Sequence, residues 1–342
     1  MQAIQIIEQG KPLQAREVPL PEPGDGEIRI KVEAAGVCHS DVHYRDGMGS
    51  VGKVPITPGH EVAGTVDSLG ASVTGLTVGD RVALHYLITC GRCEYCARGL
   101  EQFCHSGRML GKHVDGGYAE YVIAPARNAI PIADTVGMAE AAIMMCSSAT
   151  AFHALRKARC APGDTVAVFG VGGLGMSAVQ LARASGAAEV FAVDIDRNKL
   201  AVAAVYHAHP IDPADGAPDR QLRTATHGEG VDVALELTGV PAVQQQALAS
   251  LAVRGRIALA GISGEPFAVD SYANVINREA EIIGVSDHLR SELVTLMRFA
   301  ASGMLDLQHV IADRLPLDAA EINRCLDALA GFHGCTRSVI VP

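Results

Sequence analysis

At 342 residues the chain is longer than one hydrophobic core usually supports, so two domains are expected before any motif is considered. Hydrophobic residues make up 49% and charged residues 19%, with 36 glycines and no block of like charge, which excludes a disordered chain and fits a globular protein rich in turns. A formal net charge of −10 leaves no basic stripe for a nucleic-acid backbone or an anionic membrane surface.

Taken in chain order, the first residues carry no positive segment followed by an apolar one, and no apolar run nears the roughly 20 residues that span a bilayer, so a cytoplasmic protein is expected. Short β-like runs separated by turn signals follow at 27–37, 61–70, 81–87 and 118–125, which reads as a compact, mostly antiparallel β domain. From Val136 the texture becomes helical and apolar, as in AEAAIMMCSSATAFHALRKA, and this stretch is expected to lead from one domain into the next. Strands at 164–170 and 189–195 then flank a glycine turn and a helix. The later strands VDVALEL, RIALAGI and EIIGVS alternate with helical patterns, the signature of a doubly wound parallel sheet. An amphipathic segment at 318–330 and a strand-like TRSVIVP close the chain.

Cys90, Cys93, Cys96 and Cys104 form C-x2-C-x2-C-x7-C within the lobe 88–106. Four thiolates so close in sequence can wrap one tetrahedral zinc, closing it to water and making it structural. An iron–sulfur cluster of the bacterial ferredoxin type needs a three-residue last gap followed by Pro, whereas here the gap is seven and His105 follows.

Gly170, Gly172, Gly173 and Gly175 lie in GVGGLG, a match to G-x-G-x-x-G that gains weight from the strand before it and the helix after it. Such glycines let the backbone approach a pyrophosphate, and the helix N-terminus supplies N–H donors and partial positive charge. Asp194 ends the next strand, where a carboxylate accepts from ribose hydroxyls and repels a 2′-phosphate, so NAD is expected rather than NADP.

GVCHSDVH, PGHE and MMCSS place Cys38, His60 and Cys146 outside the four-cysteine loop. Two thiolates and one imidazole are the ligand set of an open catalytic zinc. Their spacing does not show that the three meet. Singly they read as a buried thiol, a surface imidazole and a core thiol on an apolar helix. Cys160, Cys325 and Cys335 have no ligand spacing and read as packing residues.

With these motifs in this order the chain resembles the zinc-containing medium-chain alcohol dehydrogenases of bacteria and archaea over essentially its whole length. The resemblance implies a GroES-like catalytic β domain at 1–150, an NAD-binding Rossmann domain at 151–287 and a return to the catalytic domain at 288–342. It implies two zinc ions per chain, with Cys38, His60 and Cys146 on the catalytic one, Glu61 as an acidic neighbour that exchanges onto the metal, and Asp41 supporting a ligand. Ser40 and His43 would form a proton relay passing through the nicotinamide ribose. Thr150 and Leu174 would pack against the nicotinamide, Lys199 near the adenosine ribose, and His39 and Arg337 near the pyrophosphate. Met48, Tyr86 and Leu110 would line the substrate pocket.

Polyol dehydrogenases of this superfamily usually carry Glu-Pro where this chain has Met145 and Cys146, and often lack the four-cysteine lobe, so a simple primary or secondary alcohol is expected. Two other readings are a polyol or amino-alcohol dehydrogenase and a dinucleotide-binding relative without chemistry. Family members associate through their nucleotide-domain sheets, which implies a homo-oligomer with 281–286 as the edge, a tetramer ahead of a dimer.

Overall fold

The computed structural model describes residues 1–331 and 336–342, so Cys335 lies outside the described residues. Contacts divide the chain into two compact units: Met1–Cys146, Leu289–Ser302 and Ile311–Pro342 in one, Ser147–His288 and Gly303–Val310 in the other.

The first unit is built around strand Glu27–Val37, where Ile28, Ile30 and Val32 alternate inward. This strand pairs antiparallel with Glu61–Leu69, Tyr121–Pro125 and Arg337–Val341. Arg81–Leu84 and Ala129–Pro131 extend the sheet on one side. On the other side Ile311–Pro316 adds its single parallel pairing, to Arg337–Val341. The expected strand at 81–87 is two strands, Arg81–Leu84 and Leu87–Ile88. The second leaves the main sheet to pair with Arg108–Met109 and close the base of the cysteine lobe.

The second unit is a six-stranded parallel sheet in the order His209–Ile211, Glu189–Val193, Thr165–Phe169, Val231–Glu236, Leu251–Leu259, Glu281–Gly284. Val166 to Phe169 are fully buried, as a strand covered on both faces requires. Sequence order reverses between Thr165–Phe169 and Val231–Glu236, which makes their carboxyl ends the switch point of a doubly wound sheet. Glu281–Gly284 is an edge strand.

The apolar run after Val136 is helical but not one regular helix. Met138–Ile143 and Ala149–Lys157 are α-helices, and Met144–Ser148 between them forms a π turn. The division between the units falls within that turn. No helix among the described residues is long and apolar enough to cross a membrane.

Candidate functional site

The short strands Leu87–Ile88 and Arg108–Met109 pinch together the ends of the loop that carries Cys90, Cys93, Cys96 and Cys104. All four sulfurs lie within 4.8 Å of one another. Sulfur separations are 3.5 Å for Cys93–Cys96 and 3.9 Å for Cys90–Cys96 and Cys93–Cys104. A tetrahedral zinc with bonds of about 2.3 Å has sulfur–sulfur edges of about 3.8 Å, so the loop already has the dimensions of the ion. Backbone N–H groups of Arg92 and Cys93 bring the Cys90 thiol down to about 6, and those of Cys96 and His105 lower Cys93. Cys96 is pushed up to about 11, by loss of solvent and then by the neighbouring sulfurs. A set of thiols held this close, some already favouring thiolate, fits a cation.

The second group is assembled from distant parts of the chain. Antiparallel pairing of Gly36 with Glu61 brings the end of one strand beside the start of the next, so that Cys38 and His60 flank the pair. A side chain on Gly36 would displace the Glu61 carboxylate and crowd the Arg337 guanidinium, so glycine there leaves room for that pair. Gly59 turns the chain into His60 at φ +94°, against the Tyr118 ring, where any Cβ would collide.

Cys38 caps helix His39–Asp46, and Asp41 closes the cap by accepting the Cys38 N–H at 2.9 Å. The same carboxylate accepts the Tyr118 hydroxyl at 2.9 Å and faces His60 Nδ1 at 3.3 Å. With Nδ1 taken by Asp41, Nε2 is the nitrogen left for a metal. Cys146 arrives on the π turn, a local widening of the helical ladder that is frequent at functional sites.

Ligand atoms of Cys38, His60, Glu61 and Cys146 all lie within 4.8 Å of one another, and all four residues are buried. A hydrogen bond from Cys146, then the hydrogen bond and charge of His60, hold the Cys38 thiol well below its ordinary value against the opposing effect of burial, and Cys146 is raised in return. Burial lowers His60, but Asp41 and Cys38 together outweigh it and hold the imidazole well above its ordinary value. Burial pushes Glu61 up to about 8 even though Arg337 pairs with its Oε2. Glu61 Oε1 and Arg337 Nε have no hydrogen-bond partner among the described residues. Two thiols, one imidazole nitrogen and an unsatisfied carboxylate oxygen converging in a buried space are a donor set that fits zinc.

In the second unit, strand Thr165–Phe169 runs into the glycine turn and helix Gly173–Ala184. A Cβ on Gly175 would collide with the Gly170 carbonyl, so that glycine serves strand-to-helix packing. A Cβ on Gly172 would meet nothing within 4 Å, so the backbone there faces open space. Open space over the middle glycine at a helix N-terminus fits a pyrophosphate. Asp194 Oδ2 accepts the Val171 N–H at 2.8 Å and Oδ1 the Asp196 N–H at 2.9 Å. Its carboxylate thus braces the glycine turn, a role that the sequence did not indicate, and each oxygen retains a lone pair for a ribose hydroxyl.

Residues 24–134 match the family described as alcohol dehydrogenase GroES-like domain, and residues 173–302 match that described as zinc-binding dehydrogenase. An NAD-dependent alcohol dehydrogenase of Sulfurisphaera tokodaii is 34% identical over 352 aligned residues covering 100% of both chains. The chain belongs to the zinc-containing medium-chain alcohol dehydrogenases. A sorbitol dehydrogenase of Bacillus subtilis is 31% identical, covering 98% of this chain and 96% of its own. The crystal structure of the alcohol dehydrogenase from Aeropyrum pernix superposes with a TM-score of 0.90 at 31% identity and covers 100% of both chains.

Within this alcohol dehydrogenase fold the remaining predicted positions fall as follows. Ser40 Oγ is 3.7 Å from Cys38 Sγ, and His43 lies one helical turn further along. Among the described residues no direct hydrogen bond joins Ser40 to His43. The His43 ring sits 5.0 Å from that of His39, and its Nδ1 is 3.1 Å from the Met48 sulfur. Burial lowers His39, helped by the charge of His43. Thr150, Leu174 and Lys199 are half-buried on three helices of the second unit.

Arg337 is engaged by Glu61 in the buried cluster. Among the pocket residues, Tyr86 packs edge-on to His60 at 5.1 Å, Met48 is exposed, and Leu110 is fully buried in the β core. Tyr118 and Gly36 had no signal in the sequence beyond a glycine inside a strand pattern. Cys160 and Cys325 are half-buried, with no part in either cluster.

Proposed function

We propose that the chain is a reversible NAD-dependent alcohol dehydrogenase that holds two zinc ions, one structural on Cys90, Cys93, Cys96 and Cys104 and one catalytic on Cys38, His60 and Cys146 with Glu61 as an exchanging neighbour. The observation that carries this reading is the buried cluster with its unsatisfied Glu61 oxygen.

When bound there, zinc supplies the Lewis acidity that lowers the pKa of an alcohol and polarises a carbonyl, and NAD accepts or returns the hydride. Asp41 fixes the tautomer and orientation of His60. Ser40, beside Cys38, and His43 would be the two residues of the proton relay, Ser40 on the alcohol side and His43 on the solvent side, with the nicotinamide ribose between them when NAD is bound. Glycines 170, 172, 173 and 175 receive the pyrophosphate, Asp194 and Lys199 the adenosine ribose, and Thr150 and Leu174 the nicotinamide, with His39 and Arg337 near the phosphates. The Glu61 pairing gives Arg337 a second task, neutralising the carboxylate beside the metal. Functional limits of 1–150, 151–287 and 288–342, a cytoplasmic location and a homotetramer built on the Glu281–Gly284 edge complete the proposal.

Elemental analysis combined with an NAD-reduction assay tests it. Two zinc ions per chain and turnover of simple alcohols above sorbitol or threonine are expected. A single zinc, or undiminished turnover in Cys38→Ala, overturns the mechanism; preference for the polyol moves the enzyme to the polyol branch.

A further inference from the structure

The two central strands of the parallel sheet, Thr165–Phe169 and Val231–Glu236, end side by side where strand order reverses. In an open sheet of this kind the ligand crevice lies beyond those carboxyl ends. One wall is the glycine turn after Phe169. The other is the loop Leu237, Thr238 and Gly239, and its shape is dictated by the residue before it.

Glu236 is fully buried, and no Lys, Arg or His pairs with it among the described residues. Burying a carboxylate without a cation is expensive unless hydrogen bonds meet its charge. Its own loop supplies them: Oε1 accepts the Thr238 N–H at 2.8 Å, the Thr238 hydroxyl at 2.5 Å and the Gly239 N–H at 3.1 Å. The Glu236 carbonyl accepts the N–H groups of Ala260 at 2.9 Å and Gly261 at 3.0 Å, from the loop that follows strand Leu251–Leu259.

Both loops are therefore tied to one residue. Gly239 and Gly261 sit so close that a side chain on either would enter the other loop's backbone. Thr238 carries the constraint to the glycine turn, because its methyl lies only 2.6 Å from where a Cβ on Gly170 would be.

We infer that Glu236 is a positioning residue for the dinucleotide: its carboxylate, acting through Thr238, holds the second wall of the crevice in register with the glycine turn. This rests on the reading of the second unit as an NAD site. A neutral side chain could cap the turn alone at less desolvation cost. A carboxylate accepting three charge-assisted bonds fixes the loop more stiffly.

The test is a fluorescence titration of NADH into the full zinc-loaded chain, alongside the melting temperature of each variant without cofactor. Glu236→Ala is expected to raise the NADH Kd about tenfold, and Thr238→Val, which removes the hydroxyl and keeps the methyl, about threefold. Glu236→Gln, which retains an acceptor oxygen but lacks the charge, should recover only part of the affinity, with a Kd between those of Glu236→Ala and the wild type. The loss should appear in the KM for NAD, with kcat at saturation changed less than the KM. Should Glu236→Ala fail to fold, Thr238→Val decides. A variant that melts lower but binds NADH as the wild type does overturns the inference, leaving Glu236 a residue of stability alone. Wild-type protein that does not bind NADH overturns the cofactor reading itself.

Discussion

The thiols of Cys90, Cys93, Cys96 and Cys104 come from a single loop pinched by one short strand pair, whereas Cys38, His60, Glu61 and Cys146 come from a strand end, the start of its neighbour and a π turn. The first group is partly exposed and consists of sulfur alone; the second is buried, mixed in chemistry, and keeps a carboxylate oxygen without a partner among the described residues. Four equivalent thiolates saturate a tetrahedral ion and leave it nothing to do but hold a loop together. Three ligands with a carboxylate and an arginine beside them would leave a position for substrate and a means of adjusting charge around it.

The largest effect expected from this contrast is in the buried cluster. Cys38→Ala should lower NAD reduction by at least about 10³-fold, since a Lewis acid worth several kcal/mol is lost. Zinc content should fall by one ion while the melting temperature moves little. Normal turnover with one zinc missing would reverse the roles of the two clusters.

Cys93→Ser should do the opposite. Loss of a closed metal site costs folding energy, here on the order of 2–5 kcal/mol, which lowers the melting temperature by roughly 5–15 °C. Turnover per correctly folded molecule should stay within about twofold at low temperature, a ratio that combined zinc, melting and rate measurements on one sample would give.

The same contrast explains what could be read from the sequence. The cysteine lobe was legible because its geometry is local, and spacing along the chain is nearly spacing in space. The parallel sheet was legible too, because buried strands such as Thr165–Phe169 are continuously apolar. The buried cluster was not, since Cys38 and His60 meet only through the register that pairs Gly36 with Glu61, and a register one residue off would point them to opposite faces.

Helix His39–Asp46 escaped notice for a related reason. HSDVHYRD lacks an apolar stripe, and the helix is held by the Asp41 cap rather than by hydrophobic periodicity. Arg337 was placed by resemblance near the pyrophosphate, and its pairing with Glu61 follows from the strand Arg337–Val341 lying beside Glu27–Val37, a contact between residues 276 positions apart.

Asp41→Asn should produce an intermediate effect. An amide can still accept the Cys38 N–H, but it loses the charge that holds His60 above its ordinary value. Zinc affinity at the buried cluster should fall about 10- to 100-fold in competition with a chelator. The sign of the pH dependence follows from the same charge. In the metal-free protein His60 retains its proton above its ordinary value, so zinc must displace it, and wild-type affinity should climb with pH through neutrality. With the charge removed, His60 loses its proton at lower pH and the climb should become shallower. An unchanged slope would mean that Asp41 does not govern the His60 proton.

Tyr118→Phe is the smallest change and the finest probe of the contrast, because Tyr118 is not itself a member of either cluster. Its hydroxyl donates to Asp41 Oδ2 at 2.9 Å inside the β core, and burial followed by the charge of Asp41 keeps it protonated far above its ordinary value. Removing it leaves Oδ2 with the Cys38 N–H alone. The loss should be about 1–2 kcal/mol of folding stability, the ordinary worth of a buried bond to a charged acceptor. Zinc affinity at the buried cluster should fall no more than about threefold, because Asp41 keeps its charge and its cap. The lobe should retain its metal in full. If zinc were instead lost equally from both clusters, the Tyr118–Asp41–His60 chain would be serving the fold as a whole, and the separation of a local structural site from a buried catalytic one would fail at its most sensitive point.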